Sequence, residues 1–119
     1  MPEPLDPLTF LRVAQELARQ RDEAALRTAI GRAYYALFLV ARDKTGVTST
    51  RAVHTEVIRA VRKRPGYRAV ADQFDALRRL RVVADYQLLP DDPALRDWPS
   101  NWVKAQALIN HILPKLQVW

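Results

Sequence analysis

The chain reads as all-α, an antiparallel bundle of four to five helices, and three observations carry that reading. Apolar residues recur at helical spacing through most of the 119 residues. No run alternates apolar and polar side chains for long enough to make a strand. Helix start and stop residues fall between the periodic segments, and the length fits one domain spanning residues 1–119.

Asp6 as N-cap and Pro7 at the first helical position open a helix that runs to about Gln20, with Leu8, Leu11, Ala14, Leu17 and Ala18 on one face. Asp22 and Glu23 open the second, whose acidic start suits the helix dipole; it ends near Gly46, after Arg42 and Lys44. From Ala24 to Ala41 this helix is apolar nearly all round, so it is predicted to sit at the centre of the bundle or against a second subunit. Arg27 and Arg32 argue against a membrane span there. Thr48, Ser49 or Thr50 caps the third helix, which presents Val53, Val57, Ile58 and Val61 and stops before Pro65-Gly66. The fourth covers about Tyr67 to Leu88. Leu89-Pro90-Asp91-Asp92-Pro93 breaks the pattern, and Asp97 or Ser100 starts a fifth helix reaching about Gln117, which Pro114 is expected to kink or end early.

Composition excludes several chemistries. With no cysteine there is no disulfide framework, thiolate nucleophile or zinc ribbon. The segment Met1 to Pro7 has neither a basic nor an apolar stretch, so no signal peptide is expected, and the default compartment is the cytoplasm. Gly31, Gly46 and Gly66 are too far apart for a phosphate-cradling loop, no serine elbow occurs, and His54 and His111 do not make a metal site. No cofactor is expected.

The net charge of +6 equals the excess held by residues 51–81, where nine basic side chains face three acidic ones. Arg59, Arg62, Lys63, Arg64 and Arg68 crowd the turn after the third helix. Two readings stand for this cluster: a phosphate-contacting patch, or cations that suit a helix C-terminus. Arg81 is a sharper anomaly, because helical stepping places it inside the stripe of Val70, Phe74, Leu77, Ala84 and Leu88. Asp85 follows at the spacing of an intrahelical pair, so Arg81 is either a buried structural ion pair or a preorganised cation for phosphate. His54 lies beside Val57, Ile58 and Val61, a position more typical of a hydrogen-bonded core histidine than of a catalytic one.

Gly31-Arg32-Ala33-Tyr34-Tyr35-Ala36-Leu37-Phe38 resembles the Arg-x-Tyr-Tyr-x-x-Phe helix of the HEPN superfamily, small prokaryotic helical proteins. Thr50 to His54, Arg81-Val82-Val83-Ala84-Asp85-Tyr86 and the helix from Trp102 to Leu116 agree in order, so the resemblance covers about residues 8–117. It implies a HEPN-like domain in which Arg32, Tyr35, His54, Arg81, Asp85 and Tyr86 line one polar groove. It also implies a homodimer and a minimal nucleotidyltransferase as partner in a toxin–antitoxin or defence pair. Active members are metal-independent RNases with an arginine four to six residues before a histidine; Arg51-x-x-His54 is too short, and His111 has no arginine at that distance.

Three functions follow as expectations. The first is a noncatalytic or weakly catalytic protein that binds RNA or nucleotides through the groove arginines, with Tyr35 and Tyr86 bonding or stacking. The second is an RNase toxin in which His54 acts as general acid or base beside Arg32 or Arg81. The third is a noncatalytic adaptor. DNA reading by the helix pair around Pro65-Gly66 fits less well, since the second helix of that pair has a long apolar stripe.

Overall fold

Carboxylates set most of the helix starts. The computed structural model of the protein describes residues 2–119 and contains α1 (Leu8–Ala18), α2 (Glu23–Thr45), α3 (Val53–Lys63), α4 (Arg68–Tyr86) and α5 (Trp98–Gln117), with a 3-10 turn at Pro93–Leu95 before α5. No strand occurs among the described residues. The Asp6 carboxylate accepts from the Leu8 amide at 3.0 Å, Asp22 from Ala25 at 2.9 Å and Asp97 from Ser100 at 3.1 Å. At the other end of α2, Gly46 takes the left-handed conformation (φ 70°) and returns its amide to the Arg42 carbonyl, a conformation in which glycine carries no Cβ penalty.

Several boundaries differ from the pattern in the sequence. Helix α1 ends at Ala18 rather than Gln20, because Arg21 turns left-handed (φ 65°) and reverses the chain into the Asp22 cap. None of Thr48, Ser49 or Thr50 caps α3. The Ser49 hydroxyl is taken up locally, donating to the Arg51 carbonyl at 2.9 Å, and α3 starts instead after a left-handed Ala52. Pro114 does not end α5, which continues to Gln117: Ile112 and Leu116 on either side are fully buried, and Asn110, whose carbonyl loses its donor, is exposed.

Helix α4 stops at Tyr86, and Leu88, expected in its apolar stripe, is 93% exposed. The cause is Arg27, reaching from α2. Its Nη1 donates to the carbonyls of Gln87 (2.7 Å) and Ala84 (3.4 Å), and its Nη2 to that of Leu88 (2.8 Å). Its guanidinium lies 4.3 Å over the Trp98 ring and pairs with Glu23 at 3.3 Å. A cation at the negative end of α4 thus satisfies carbonyls that have no amide partner.

Helix α2 is the central strut and packs against all four other helices. Ala29, Ala33, Ala36 and Ala41 are fully buried along it, which lets its neighbours approach closely, and Leu26, Ile30, Tyr34 and Leu37 fill the space between. Tyr67, at the start of α4, donates to the Lys115 carbonyl at 2.8 Å and meets Trp119 edge-on, tying the α3–α4 turn to the end of α5. Among the described residues no helix is long and apolar enough to cross a membrane.

Candidate functional site

A buried tyrosine hydroxyl needs a hydrogen-bond partner, and Tyr34, 1% exposed in the middle of α2, finds His54 of α3. Its oxygen lies 2.8 Å from His54 Nδ1, and it makes no other hydrogen bond among the described residues. Phe38, one turn along α2, packs on the imidazole at 4.2 Å, and Phe74 of α4 meets the Tyr34 ring edge-on at 5.8 Å. Burial pushes the Tyr34 hydroxyl well above the ordinary tyrosine range, against the opposing pull of Arg78 and Arg81. Burial, then Arg81 and Arg78, hold His54 below its ordinary value. His54 is therefore neutral near pH 7.

The tautomer follows. If Nδ1 carried the proton, the Tyr34 hydroxyl hydrogen would be buried without an acceptor. The satisfied arrangement has Tyr34 donating to Nδ1, which leaves Nε2 as an N–H donor on the opposite edge of the ring.

Arg81 is on the rim of this cluster rather than within the core stripe. The buried face of α4 is Val70, Ala71, Phe74, Leu77, Leu80 and Ala84, while the side chains of Arg81 and Asp85 keep 27% and 30% exposure. Their bond, Nε to Oδ2 at 2.8 Å, is an edge pair and not a buried one, since both side chains keep contact with water. The guanidinium is 5.8 Å over the Tyr34 ring and 5.6 Å over that of Tyr86, and its Nη donors make no hydrogen bond among the described residues. One turn back, Arg78 pairs with Asp75 at 3.0 Å, and Asp75 also holds Arg79 at 2.7 Å.

The six residues expected in one groove stand in two neighbouring groups. His54 and Arg81 lie against Tyr34, and Asp85 and Tyr86 lie against Arg81. Arg32 and Tyr35 lie on the other side of Phe38, toward α1: exposed Arg32 stacks 5.3 Å over Tyr35, which packs on Phe10 at 5.2 Å and on Phe38 at 6.4 Å. Phe38 joins the two groups into a continuous aromatic run between two arginines. Tyr34, Arg78 and Asp75 were not singled out from sequence. The signal for Tyr34 was present, since helical stepping places it with Ile30, Leu37 and Ala41 and a hydroxyl in such a stripe demands a partner.

In the basic cluster Arg59 pairs with Glu56 at 3.3 Å, Arg62 pairs with Asp72, and Arg64 stacks 4.4 Å over Trp119. Lys63 and Arg68 are exposed and carry no ion pair among the described residues. The cluster is therefore partly internal wiring, with three charges, those of Lys63, Arg64 and Arg68, left without an ion pair for a polyanion.

The Tyr34–His54–Arg81 face presents hydrogen-bond donors and positive charge, which suits an anion. Surface depressions occur at the C-terminal ends of α1 and α2, along the outside of α1 and between α4 and α5, and His54, Arg81 and Asp85 line none of these. No group of three or more histidine, cysteine, aspartate or glutamate side chains able to hold a metal ion occurs among the described residues. Comparison of the chain with protein-family models, with curated proteins and with solved structures finds no match in any of the three.

Proposed function

We propose that the chain is a HEPN-like helical domain that binds RNA or a nucleotide through the face formed by Tyr34, His54, Arg78 and Arg81, and that it works beside a nucleotidyltransferase-type protein. The observation that carries this reading is the bond between the Tyr34 hydroxyl and His54 Nδ1. It turns His54 into a neutral donor beside two arginines, and phosphate oxygens accept from such donors. Arg81 offers its unused Nη pair to the same anion, and the exposed Tyr86 ring, 5.6 Å from the Arg81 guanidinium, lies alongside, where a base would stack.

An RNase reading asks His54 to take a proton from a ribose hydroxyl. The Tyr34 bond works against it, because it consumes the lone pair on Nδ1 and leaves Nε2 already protonated. The missing arginine four to six residues before a histidine points the same way.

Fluorescence anisotropy with a labelled single-stranded RNA, and calorimetry with a mononucleotide, test the proposal. Arg81→Ala should weaken binding at least tenfold while the circular-dichroism spectrum stays helical, and wild-type protein should leave the RNA intact. RNA cleavage that disappears in His54→Ala would establish the RNase instead. Absence of binding to either probe would leave an adaptor.

A further inference from the structure

The two flanks of α4 carry different chemistry. Helical stepping puts Arg78, Arg81 and Asp85 on one side of its buried face and Ala76, Arg79, Leu80 and Val83 on the other. The second flank meets α5 at a groove of about 230 Å³, walled by Leu80, Val83, Leu95 and Leu108. The wall supplied by the α4–α5 connection is fixed in place. Asp92 caps the 3-10 turn that carries Leu95, accepting from the Ala94 amide at 2.9 Å, and the fully buried Asn101 donates from Nδ2 to the Leu95 carbonyl at 2.8 Å. A groove with an ordered wall loses little conformational entropy on filling.

Charge at the groove is of one sign. Arg79 from α4 and exposed Lys104 from α5 line it, and no acidic side chain does. Lys104 has no ion pair among the described residues. Arg79 shares the single carboxylate of Asp75 with Arg78, at 2.7 and 3.0 Å, so that trio keeps a net positive charge. Apolar walls beside two cations from facing helices complement a molecule with an apolar body and one anionic end. Inorganic phosphate would use the cations and leave the walls wet, and a neutral hydrocarbon would do the reverse. Size narrows the class. A void of about 150 Å³ takes the six carbons of benzene, so the groove takes an aliphatic chain of about eight. From Ala76 to Val83 it runs about 10 Å along α4, which matches such a chain when extended.

We propose that the α4–α5 groove is a binding site for a medium-chain carboxylate of about eight carbons, its tail against Leu80, Val83, Leu95 and Leu108 and its carboxylate between Lys104 and Arg79. The site lies on the flank of α4 away from Arg78 and Arg81, and stands whether or not that face binds RNA. A ligand of about ten non-hydrogen atoms gives a dissociation constant in the high micromolar to millimolar range, so occupancy follows the ligand's concentration.

Octanoate is the probe, titrated at neutral pH into the isotope-labelled chain and followed by methyl NMR. Shifts should saturate and centre on Leu80, Val83, Leu95 and Leu108. Acetate, which has the charge without the tail, and octylammonium, which has the tail with the opposite charge, should leave those methyl groups unmoved. Lys104→Ala should weaken octanoate about tenfold, and Lys104→Arg should keep most of the affinity. Ala76→Leu, at an exposed position, should fill the groove and abolish binding with the helical spectrum unchanged. Groove methyl groups that octanoate leaves unmoved would overturn the proposal. So would octanoate that binds Lys104→Ala or Ala76→Leu as tightly as the wild type, or octylammonium that matches it, which would make the groove a plain apolar contact for a protein partner's side chains.

Discussion

Gly31 of α2 lies directly against Asp85 of α4: a Cβ placed on Gly31 would stand 3.0 Å from Asp85 Oδ1. The missing side chain lets the carboxylate that pairs with Arg81 rest on the central helix. Because Asp85 is partly exposed and its side chain can swing, Gly31→Ala should be tolerated. The gain in helix propensity makes the variant more stable by up to about 1 kcal/mol. Gly31→Leu cannot be relieved by a side-chain swing and should cost about 2 kcal/mol through overpacking. Urea denaturation of the three proteins checks the sign of both.

His54 makes stability depend on pH with a defined sign. Its folded value lies below the ordinary 6.5, so the unfolded chain binds the proton more readily. The contribution from keeping the imidazole neutral is complete above pH 6.5 and is lost as pH falls from there through the folded value. His54→Gln should flatten the pH dependence of stability in that window. Imidazole NMR should show the Nε2–H tautomer in the wild type, and Arg81→Ala or Arg78→Ala should raise the titration midpoint, since each removes a repelling charge. A midpoint unmoved by both variants would contradict this electrostatic account.

Arg27 is predicted to be the most sensitive surface-reaching residue of the fold. Arg27→Ala leaves the carbonyls of Ala84, Gln87 and Leu88 without their donor and uncovers Trp98. A loss of about 3 kcal/mol is expected for charge-assisted bonds of this kind. Arg27→Lys should recover less than half of it, because one ammonium cannot span the fork. Chemical denaturation of both variants is the measurement.

The basic turn and Arg81 should separate in a salt titration of RNA binding. Lys63→Ala and Arg68→Ala remove free surface charges, so each should lower affinity modestly and reduce the dependence of log K on log salt by up to about 0.7 for a single strand. Arg62→Ala and Arg59→Ala should do less, since Asp72 and Glu56 already neutralise those guanidinium groups. Arg81→Ala should lower affinity at every salt concentration.

The helices were legible in the sequence wherever periodicity and caps agreed, as at Asp22, Gly46 and Asp97. Errors arose where a distant side chain decided the outcome. The end of α4 depends on Arg27, some sixty residues away in the chain, which no local pattern carries. The start of α3 depends on a serine that bonds its own turn instead of the helix. At the candidate site, the stripe containing Arg81 suggested burial, but an arginine stem covers apolar surface while its head stays wet, and periodicity does not separate the two. The partner of His54 is Tyr34, the neighbour of the tyrosine that drew attention. That choice rests on how α3 packs across α2 and not on spacing within either helix.

The placement of α2 also orders how the protein opens. Helix α1 rests chiefly on α2, with its buried contacts made by Ala14 and Ala18, whereas α2 is clasped by every other helix. The amides of α1 are therefore expected to exchange with solvent through a local peeling motion that leaves the remaining four helices assembled. Those near Ala33 and Leu37 in α2 exchange only when the whole chain unfolds, so hydrogen exchange should resolve at least two cooperative units.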